Sequence, residues 1–434
     1  MSILKSYVER YGVAKLCGKA VEKLYNRDDY DEARYSEIVT GTAMNEQRGY
    51  AFVQSPLISI ILPAYNTRPD YLRQTFNSVK MQTYANWQLC IADGGERKIR
   101  SIADEIFGDD ARVLYKSLEE NKGISANSNE ALNMATGDYV TFLDHDDIME
   151  PDALFEVVKR INDTGADMVY TDEDKVTEDL GRYFDCYRKP DFNLPLMLSN
   201  NYMCHMTVIS RKILDEVGNF SSEFDGAQDY ELFLRCIDAA TRIEHVARVL
   251  YHWRATSSST ADTPFNKMYA YDAGKRALEK YLAGRAEVME LDDPGFFNII
   301  PPETEGTAYM EFVVNDGAEY DETIIDKAYA YMEFFDADII VPKITDKGRY
   351  LYNGIAACGK NHTESLKGRP SWFKGKFNLA AVNLEVGSVP RTGIFVRKSA
   401  MDKVAQVKEG HITNRKGPCK GLKMVYVPSL IVRM

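Results

Sequence analysis

The chain has 434 residues, is 45% hydrophobic and 27% charged, and carries a formal net charge of −12. That length calls for two domains, or one large domain with appendages, and the composition is that of an ordinary globular protein. The acidic balance excludes sequence-independent nucleic-acid binding as the main role, because a polyanion would be repelled.

Seven cysteines are scattered without CxxC spacing, which reads as reduced thiols rather than a disulfide framework or a zinc site. The first residues lack a signal-peptide core, and no apolar run has bilayer length, so the expectation is a cytoplasmic protein. Residues 1 to about 30 have the period of an amphipathic helix, with Leu4, Tyr7, Tyr11, Ala14, Val21 and Leu24 on one face and a basic remainder. Such a helix fits the inner face of a plasma membrane as a peripheral contact, or packing against the protein's own domain. The polar residues up to 55 look like a linker, giving an N-terminal segment 1–55.

From Leu57 to Asn66 the composition becomes that of a buried parallel strand closed by Pro63 and Asn66. A helix with Tyr71, Leu72, Phe76 and Val79 inward follows, then a strand at 87–92 ending in Asp93-Gly94-Gly95. A further helix precedes a strand at 113–115, and Asn121-Lys122-Gly123 leads into a helix to about Ala135. The strand Tyr139 to Leu143 then breaks into Asp144-His145-Asp146-Asp147. Strands alternating with helices over short connections predict a mostly parallel, doubly wound α/β sheet. Its strand ends would bring Asn66, Asp93 and Asp144 to one edge, where ligands collect in such sheets. Three carboxylates and a histidine at one strand end call for a cation, since a helix cap needs only one of them.

The strand at 58–66, Asp93-Gly94-Gly95, Asn121-x-Gly123, Gly137-Asp138-Tyr139 and Leu143-Asp144-His145-Asp146-Asp147 occur in an order that resembles family 2 glycosyltransferases of the GT-A fold. The resemblance runs from about residue 57 to 255, within a catalytic domain expected over 56–290. It implies transfer of a sugar from a nucleotide-sugar to a glycan or lipid-linked acceptor in cell-surface polysaccharide synthesis, with inversion. It further implies Mn²⁺ or Mg²⁺ as cofactor and a UDP-sugar as the favoured donor, with dTDP- and GDP-sugars as alternatives.

By resemblance, Pro63, Tyr65, Asn66 and Asp93 wall the nucleobase and ribose, with Asn121 and Gly123 beside them. Asp144 faces ribose and metal, and Asp146 is the more direct metal ligand. Hard cations of this kind take carboxylate oxygen. Asp229, at the start of an apolar-periodic helix, is the catalytic base, with Gln228 where the family usually has Glu. His252 completes the metal shell. Arg254 supplies a diphosphate contact that the segment Ser125–Asn129, lacking the arginine of many relatives, does not. Asp147, Glu173, His205 and Gln228 are assigned to the sugar and acceptor side. A catalytically inactive carbohydrate-binding protein and a sugar nucleotidyltransferase are the rival classes. The second normally has a Gly-rich phosphate loop after its first strand, and Pro63-Ala64-Tyr65-Asn66 offers none.

Residues 291–434 are expected to form a smaller α/β domain that echoes the first. The run to Asn315-Asp316 repeats the acidic strand end, Ala337-Asp338-Ile339-Ile340 repeats Ala166-Asp167-Met168-Val169, and Gly348-Arg349-Tyr350 repeats Gly181-Arg182-Tyr183. With Asp144-His145-Asp146 set against Val314-Asn315-Asp316, this partial copy should be catalytically silent and serve acceptor docking, coverage of the first domain or a homodimer contact.

Overall fold

A computed structural model describes residues 41–96, 98–256, 268–304, 309–352 and 366–434. The amphipathic segment expected at 1–30 and most of the polar stretch after Ala255 lie outside these residues. The chain divides into two compact units, one of Asp28–Phe192 with Met203–Tyr281 and another that contains Asn193–Tyr202 and Leu282–Met434.

The first unit begins with α1 (Gly41–Arg48), where a linker was expected. Tyr50 and Phe52 then pack edge-on against Phe155 and Tyr84, and Gln54 exchanges two hydrogen bonds with Asn162. Two aromatic side chains outweigh the polar composition of this stretch and dock it on the unit. The following elements are β1 (Ile58–Ala64), α2 (Pro69–Lys80), β2 (Trp87–Asp93), α3 (Arg100–Phe107), β3 (Val113–Ser117), α4 (Ile124–Leu132), β4 (Tyr139–Phe142), β5 (Ile148–Met149), α5 (Ala153–Thr164), β6 (Met168–Thr177) and β7 (Tyr183–Tyr187). After α6 (Leu194–Met197), which belongs to the other unit, come β8 (Thr207–Ser210), α7 (Arg211–Val217), α8 (Gln228–Ala239), β9 (Ile243–Ala255) and α9 (Met268–Leu282).

The described strands join in the order β3-β2-β1-β4-β8-β6-β9-β5, with β7 hydrogen-bonded to β6. Strands β3, β2, β1 and β4 are parallel. Beyond them β8 runs antiparallel to both β4 and β6, and β9 returns parallel to β6. The sheet is thus mixed, with its parallel half at the strand ends that carry Asn66, Asp93 and Asp144. β1 and β2 are buried at every residue, as runs without polar alternation require when helices cover both faces. Leu72, Phe76 and Val79 of α2 and Leu154, Val157 and Val158 of α5 join the same core. Each such side chain contributes about 1.5–3 kcal/mol relative to exposure.

Gly137-Asp138-Tyr139 has a structural cause. A Cβ on Gly137 would lie 2.5 Å from the Leu57 carbonyl oxygen and 2.5 Å from Ser59 Oγ, so only glycine passes this point. Gly137 N–H donates to Ser59 Oγ at 2.9 Å, and Asp138 accepts from Leu57 N–H at 2.8 Å, locking β4 beside β1.

In the second unit, the main sheet has the described order β10 (Met310–Val313), β14 (Ile394–Arg397), β12 (Ile339–Asp346), β15 (Met424–Arg433) and β11 (Glu319–Tyr320), with β13 (Arg349–Tyr352) paired to β12. Helix α10 (Ile324–Phe334) follows β11, as α5 follows β5. This order and these directions repeat β4-β8-β6-β9-β5 with β7. The registers agree too: Tyr139 pairs with Ser210 as Met310 pairs with Arg397, and Ile148 with His252 as Glu319 with Arg433. That register sets Asp144 against Asn315 and Asp147 against Ala318, one position away from the alignment expected from sequence. Asn193 explains why Asn193–Tyr202 joins this unit rather than the expected catalytic stretch: its side chain donates to the Glu385 carbonyl at 2.9 Å and accepts from Glu385 N–H at 3.0 Å. Among the described residues no helix is long and apolar enough to cross a membrane, and no disulfide forms.

Candidate functional site

The parallel half of the sheet sends three strand ends to one edge. After β1, Tyr65 is 44% exposed, and Asn66 takes a positive φ of 50° while its Oδ1 accepts from Glu96 N–H at 2.9 Å. Pro63 lies just before them, beside Ala92 of β2. At the end of β2, Asp93 is fully buried and accepts from Gly95 N–H, Ile99 N–H and, at 2.5 Å, the Tyr115 hydroxyl. Burial and this carboxylate together push the Tyr115 phenol pKa up. Asp93 therefore builds its own turn, which leaves the expected base contact to whatever acceptor capacity remains.

Asn121 Oδ1 accepts from Gly123 N–H at 3.1 Å and from Asn127 Nδ2 at 2.8 Å, closing the turn into α4. Gly123 has φ +99°, and a Cβ there would meet Asp225 Oδ2 at 2.5 Å. Asp225, from the loop before α8, also accepts from Ser125 N–H at 3.3 Å. The start of α4 is thus met by an aspartate from that loop.

The acidic loop after β4 is held from behind. Asp147 is buried, accepting from Tyr251 OH at 2.6 Å and from Arg254 N–H at 2.8 Å. Burial, then the charges of Asp146 and Asp144, raise its carboxyl pKa well above the ordinary range. Burial also raises Asp146, with Asp144 adding to the effect and His145 opposing it. Arg254, fully buried over the Tyr71 ring, donates Nε to the Asp146 carbonyl and Nη1 to the Glu178 carbonyl, both at 2.6 Å. Its Nη2 is buried without a partner among the described residues. Arg254 is therefore first a clamp on the acidic loop, with one nitrogen left for an anion.

His252 does not face this loop's carboxylates as a ligand. Its Nδ1 is 2.6 Å from Asp174 Oδ1 and its Nε2 2.8 Å from Glu150 Oε1, so both ring nitrogens are taken. Burial alone would lower its pKa, but the two carboxylates outweigh this and lift it to about 9. A ring protonated on both nitrogens has no lone pair for a metal. The histidine expected to complete a metal shell thus has both ring nitrogens engaged by Asp174 and Glu150 in this structure.

His205 takes the place assigned to His252. Ligand atoms of Asp144, Asp147 and His205 lie within 4.8 Å of one another, whereas Asp146 is outside this group. His205 stacks on Tyr251 at 4.8 Å and 13°, and meets Trp253 edge-on at 5.8 Å. Glu173, expected on the sugar side, instead accepts from His205 N–H at 2.6 Å and from Lys189 Nζ at 3.0 Å. Fully buried Lys189 also donates to the Cys204 and His205 carbonyls at 3.1 and 2.7 Å.

Asp229 lies half-buried in the first turn of α8. Burial and then the Asp229 charge hold the Cys204 thiol's pKa well above its ordinary value. Gln228 is turned back, its Oε1 accepting from Gly226 N–H at 2.8 Å, so it shapes the approach to α8. Cys204, Lys189 and Tyr251 are site residues that the sequence reading did not single out. The period-2 alternation of β9 was the available signal, since it puts Tyr251 and Trp253 on the face opposite His252.

Two carboxylates and an imidazole are a mixed oxygen and nitrogen donor set of the type that Mn²⁺ accepts. The residues present fit a divalent cation at Asp144, Asp147 and His205.

The model of the family described as glycosyl transferase family 2 matches residues 59–218. An uncharacterized protein of Sinorhizobium fredii is 43% identical over 233 residues, 52% of this chain and 26% of that protein. An O-antigen biosynthesis protein of Myxococcus xanthus is 29% identical over 293 residues, 66% of this chain and 23% of that protein. The crystal structure of S. aureus TarS 1–349 in complex with UDP-GlcNAc aligns with a TM-score of 0.44 at 18% identity, over 52% of this chain and 66% of that one. This chain spans about a quarter of the length of the two curated relatives. The family match begins in β1, crosses the strand ends that carry Asp93 and Asp144, and takes in His205, so that residues 59–218 of this chain are similar to glycosyl transferase family 2.

Proposed function

We propose that this chain is a metal-dependent, inverting glycosyltransferase that moves a sugar from a nucleotide-sugar to a glycan or lipid-linked acceptor on the cytoplasmic side during cell-surface polysaccharide synthesis. The observation that carries the reading is the grouping of Asp144, Asp147 and His205 beside the nucleotide-side strand ends. The O-antigen role named for the Myxococcus relative supports the polysaccharide setting.

Tyr65, Asn66 and the turn around Asp93 bound the base and ribose, and UDP is the first donor nucleotide to test. Asp144, Asp147 and His205 hold the cation, which when bound supplies neutralising charge to the departing diphosphate. Arg254 Nη2 adds a fixed positive charge near the same oxygens. Asp229 takes the proton of the acceptor hydroxyl as that oxygen attacks the anomeric carbon from the face opposite the diphosphate. One displacement inverts the centre without a covalent enzyme intermediate. The second unit, with Asn315 and Ala318 at the positions of Asp144 and Asp147, is catalytically silent.

The test is a transfer and hydrolysis screen over UDP-, GDP- and dTDP-sugars with Mn²⁺, Mg²⁺ or chelator. One productive donor should lose turnover with chelator, and Asp229→Asn should lower kcat about 10²–10⁴-fold while donor binding is retained. Full turnover in chelator would remove the cation, and intact transfer by Asp229→Asn would remove Asp229 as base. Donor binding without any transfer would favour a carbohydrate-binding protein.

A further inference from the structure

The two sheets share a register but differ in what covers them. In the first unit Met149 and Leu250 are 1% and 0% exposed, in one core with Leu72, Phe76 and Val79 of α2. The end of α2 and the turn after it also satisfy the polar groups at this place. Ser78 Oγ accepts from Met149 N–H at 3.3 Å, and Thr83 N–H donates to the Pro151 carbonyl at 2.8 Å. Gln82 donates to the Glu150 carbonyl at 2.8 Å and accepts from Leu154 N–H at 3.0 Å. An amphipathic helix therefore seals this end of the first sheet.

The paired strands set Tyr320 at the position of Met149, and Ile431 at that of Leu250. These two side chains are 39% and 43% exposed. They open on a cavity of about 480 Å³, lined also by Ile324, Ser429, Leu430 and Lys327, all within the second unit. Among the described residues from Arg285 to β10 there is no α-helix to play the part of α2. An apolar side chain exposed singly is ordinary, but two at core registers on one cavity mark an unfilled place.

An amphipathic helix of the required kind is encoded in the chain itself. Residues 1–40 precede α1, and of these 1–30 bring Leu4, Tyr7, Tyr11, Val21 and Leu24 to one helical face. From Lys5 to Arg27 the basic residues outnumber Glu9 and Glu22. On the second unit, β11 and the first turn of α10 expose Glu319, Asp321, Glu322 and Asp326 against Lys327 and Arg433, an acidic balance that suits a basic helix. Residues 31–40 join the segment to α1 and can extend over about 33 Å. We propose that residues 1–30 dock as a helix on the Tyr320–Ile431 face of the second unit, covering it as α2 covers Met149 and Leu250. The apolar face of the segment is then spent on protein rather than on a lipid surface. The docking does not rest on the transferase reading.

The first test places the photo-cross-linker p-benzoylphenylalanine at position 431 of the full chain and maps the products by mass spectrometry. Cross-links to residues 1–30 in a product of monomer size are expected. Their absence, or capture of a second copy in a product of dimer size, overturns the proposal. The second test is hydrogen exchange of the full chain. Amides of 1–30 should be protected in the wild type and exchange about 10-fold faster or more when Tyr320→Lys and Ile431→Lys are combined. Unchanged protection of β12 and β15 in that variant shows that the second unit stays folded, and unchanged protection of 1–30 overturns the docking. Should the variant not fold, the cross-linking result decides alone. Vesicles of equal parts phosphatidylcholine and phosphatidylglycerol should leave the wild-type pattern as it is. Protection of 1–30 that arises only with these vesicles assigns the segment to a membrane surface and overturns the proposal.

Discussion

Lys189→Met is the substitution whose cost can be worked out most fully. Lys189 is completely buried, and its ammonium donates to Glu173 Oε2 and to the carbonyls of Cys204 and His205. Methionine fills much of the same unbranched volume, so the cavity contribution is small. What is lost is a charge and three hydrogen bonds, while Glu173, whose side chain is 15% exposed, stays in place with a negative charge. Removing one member of such a pair costs about 3–5 kcal/mol, mostly because the other charge is left uncompensated. The assay is urea unfolding of the full chain followed by far-UV circular dichroism, with the transition of the first unit identified by its shift on donor binding. Lys189→Met should lower the stability of that transition by about 3 kcal/mol or more. Adding Glu173→Leu removes the stranded charge, so the double variant should lie at least about 2 kcal/mol above the sum of the singles. A Lys189→Met loss below about 1 kcal/mol, or additive singles, would refute the claim that this ion pair anchors the Cys204–His205 backbone.

His252 makes stability depend on pH in a defined direction. Its folded pKa of about 9 lies above the unfolded value of about 6.5, so its contribution is complete below about pH 6.5 and is lost as pH rises through about 9. Urea midpoints measured from pH 6 to 10 should fall more steeply in the wild type than in His252→Gln; parallel curves would contradict the Asp174–His252–Glu150 arrangement. Gly123→Ala places a Cβ 2.5 Å from Asp225 Oδ2 at a φ of +99°, and should cost about 1–3 kcal/mol in thermal unfolding. Because the backbone strain remains when the contact is removed, Asp225→Ala should not restore Gly123→Ala, and full restoration would show that the contact alone mattered.

The strands were legible where composition leaves one option. Ile58-Ser59-Ile60-Ile61-Leu62 can only be a strand covered on both faces, and β1 is buried throughout. The reversal of β8 was not legible, because a strand of four residues, Thr207–Ser210, reads alike in either direction. The acidic loop was legible as a cation site from its charge density. Which of its carboxylates and which histidine share that site depends on contacts far apart in sequence, from Tyr251 to Asp147 and from Glu173 to His205. A histidine beside tryptophan is ambiguous until the strand's alternation is imposed. His252 then falls opposite Tyr251 and Trp253, the residues that enclose His205.

The repeated strand order separates what the frame requires from what the chemistry requires. Both sheets keep the β4-β8-β6-β9-β5 type of order and corresponding registers, so those pairings hold without the acidic loop. At the registers of Asp174 and His252 the second unit has Thr345 and Arg433. His252 is buried between two carboxylates, whereas Arg433 is exposed. Burying an imidazole between two acids is costly unless every partner is satisfied, and the second sheet forms the same register without that cost. The Asp174–His252–Glu150 triad is therefore dispensable for the strand frame. It lies on β6, on β9 and just after β5, the elements that carry Glu173, that carry Tyr251, and that close the loop containing Asp147. Its retention in the first unit alone follows from holding those residues around the acidic loop, while Asn315 and Ala318 leave the second unit nothing for such a triad to hold.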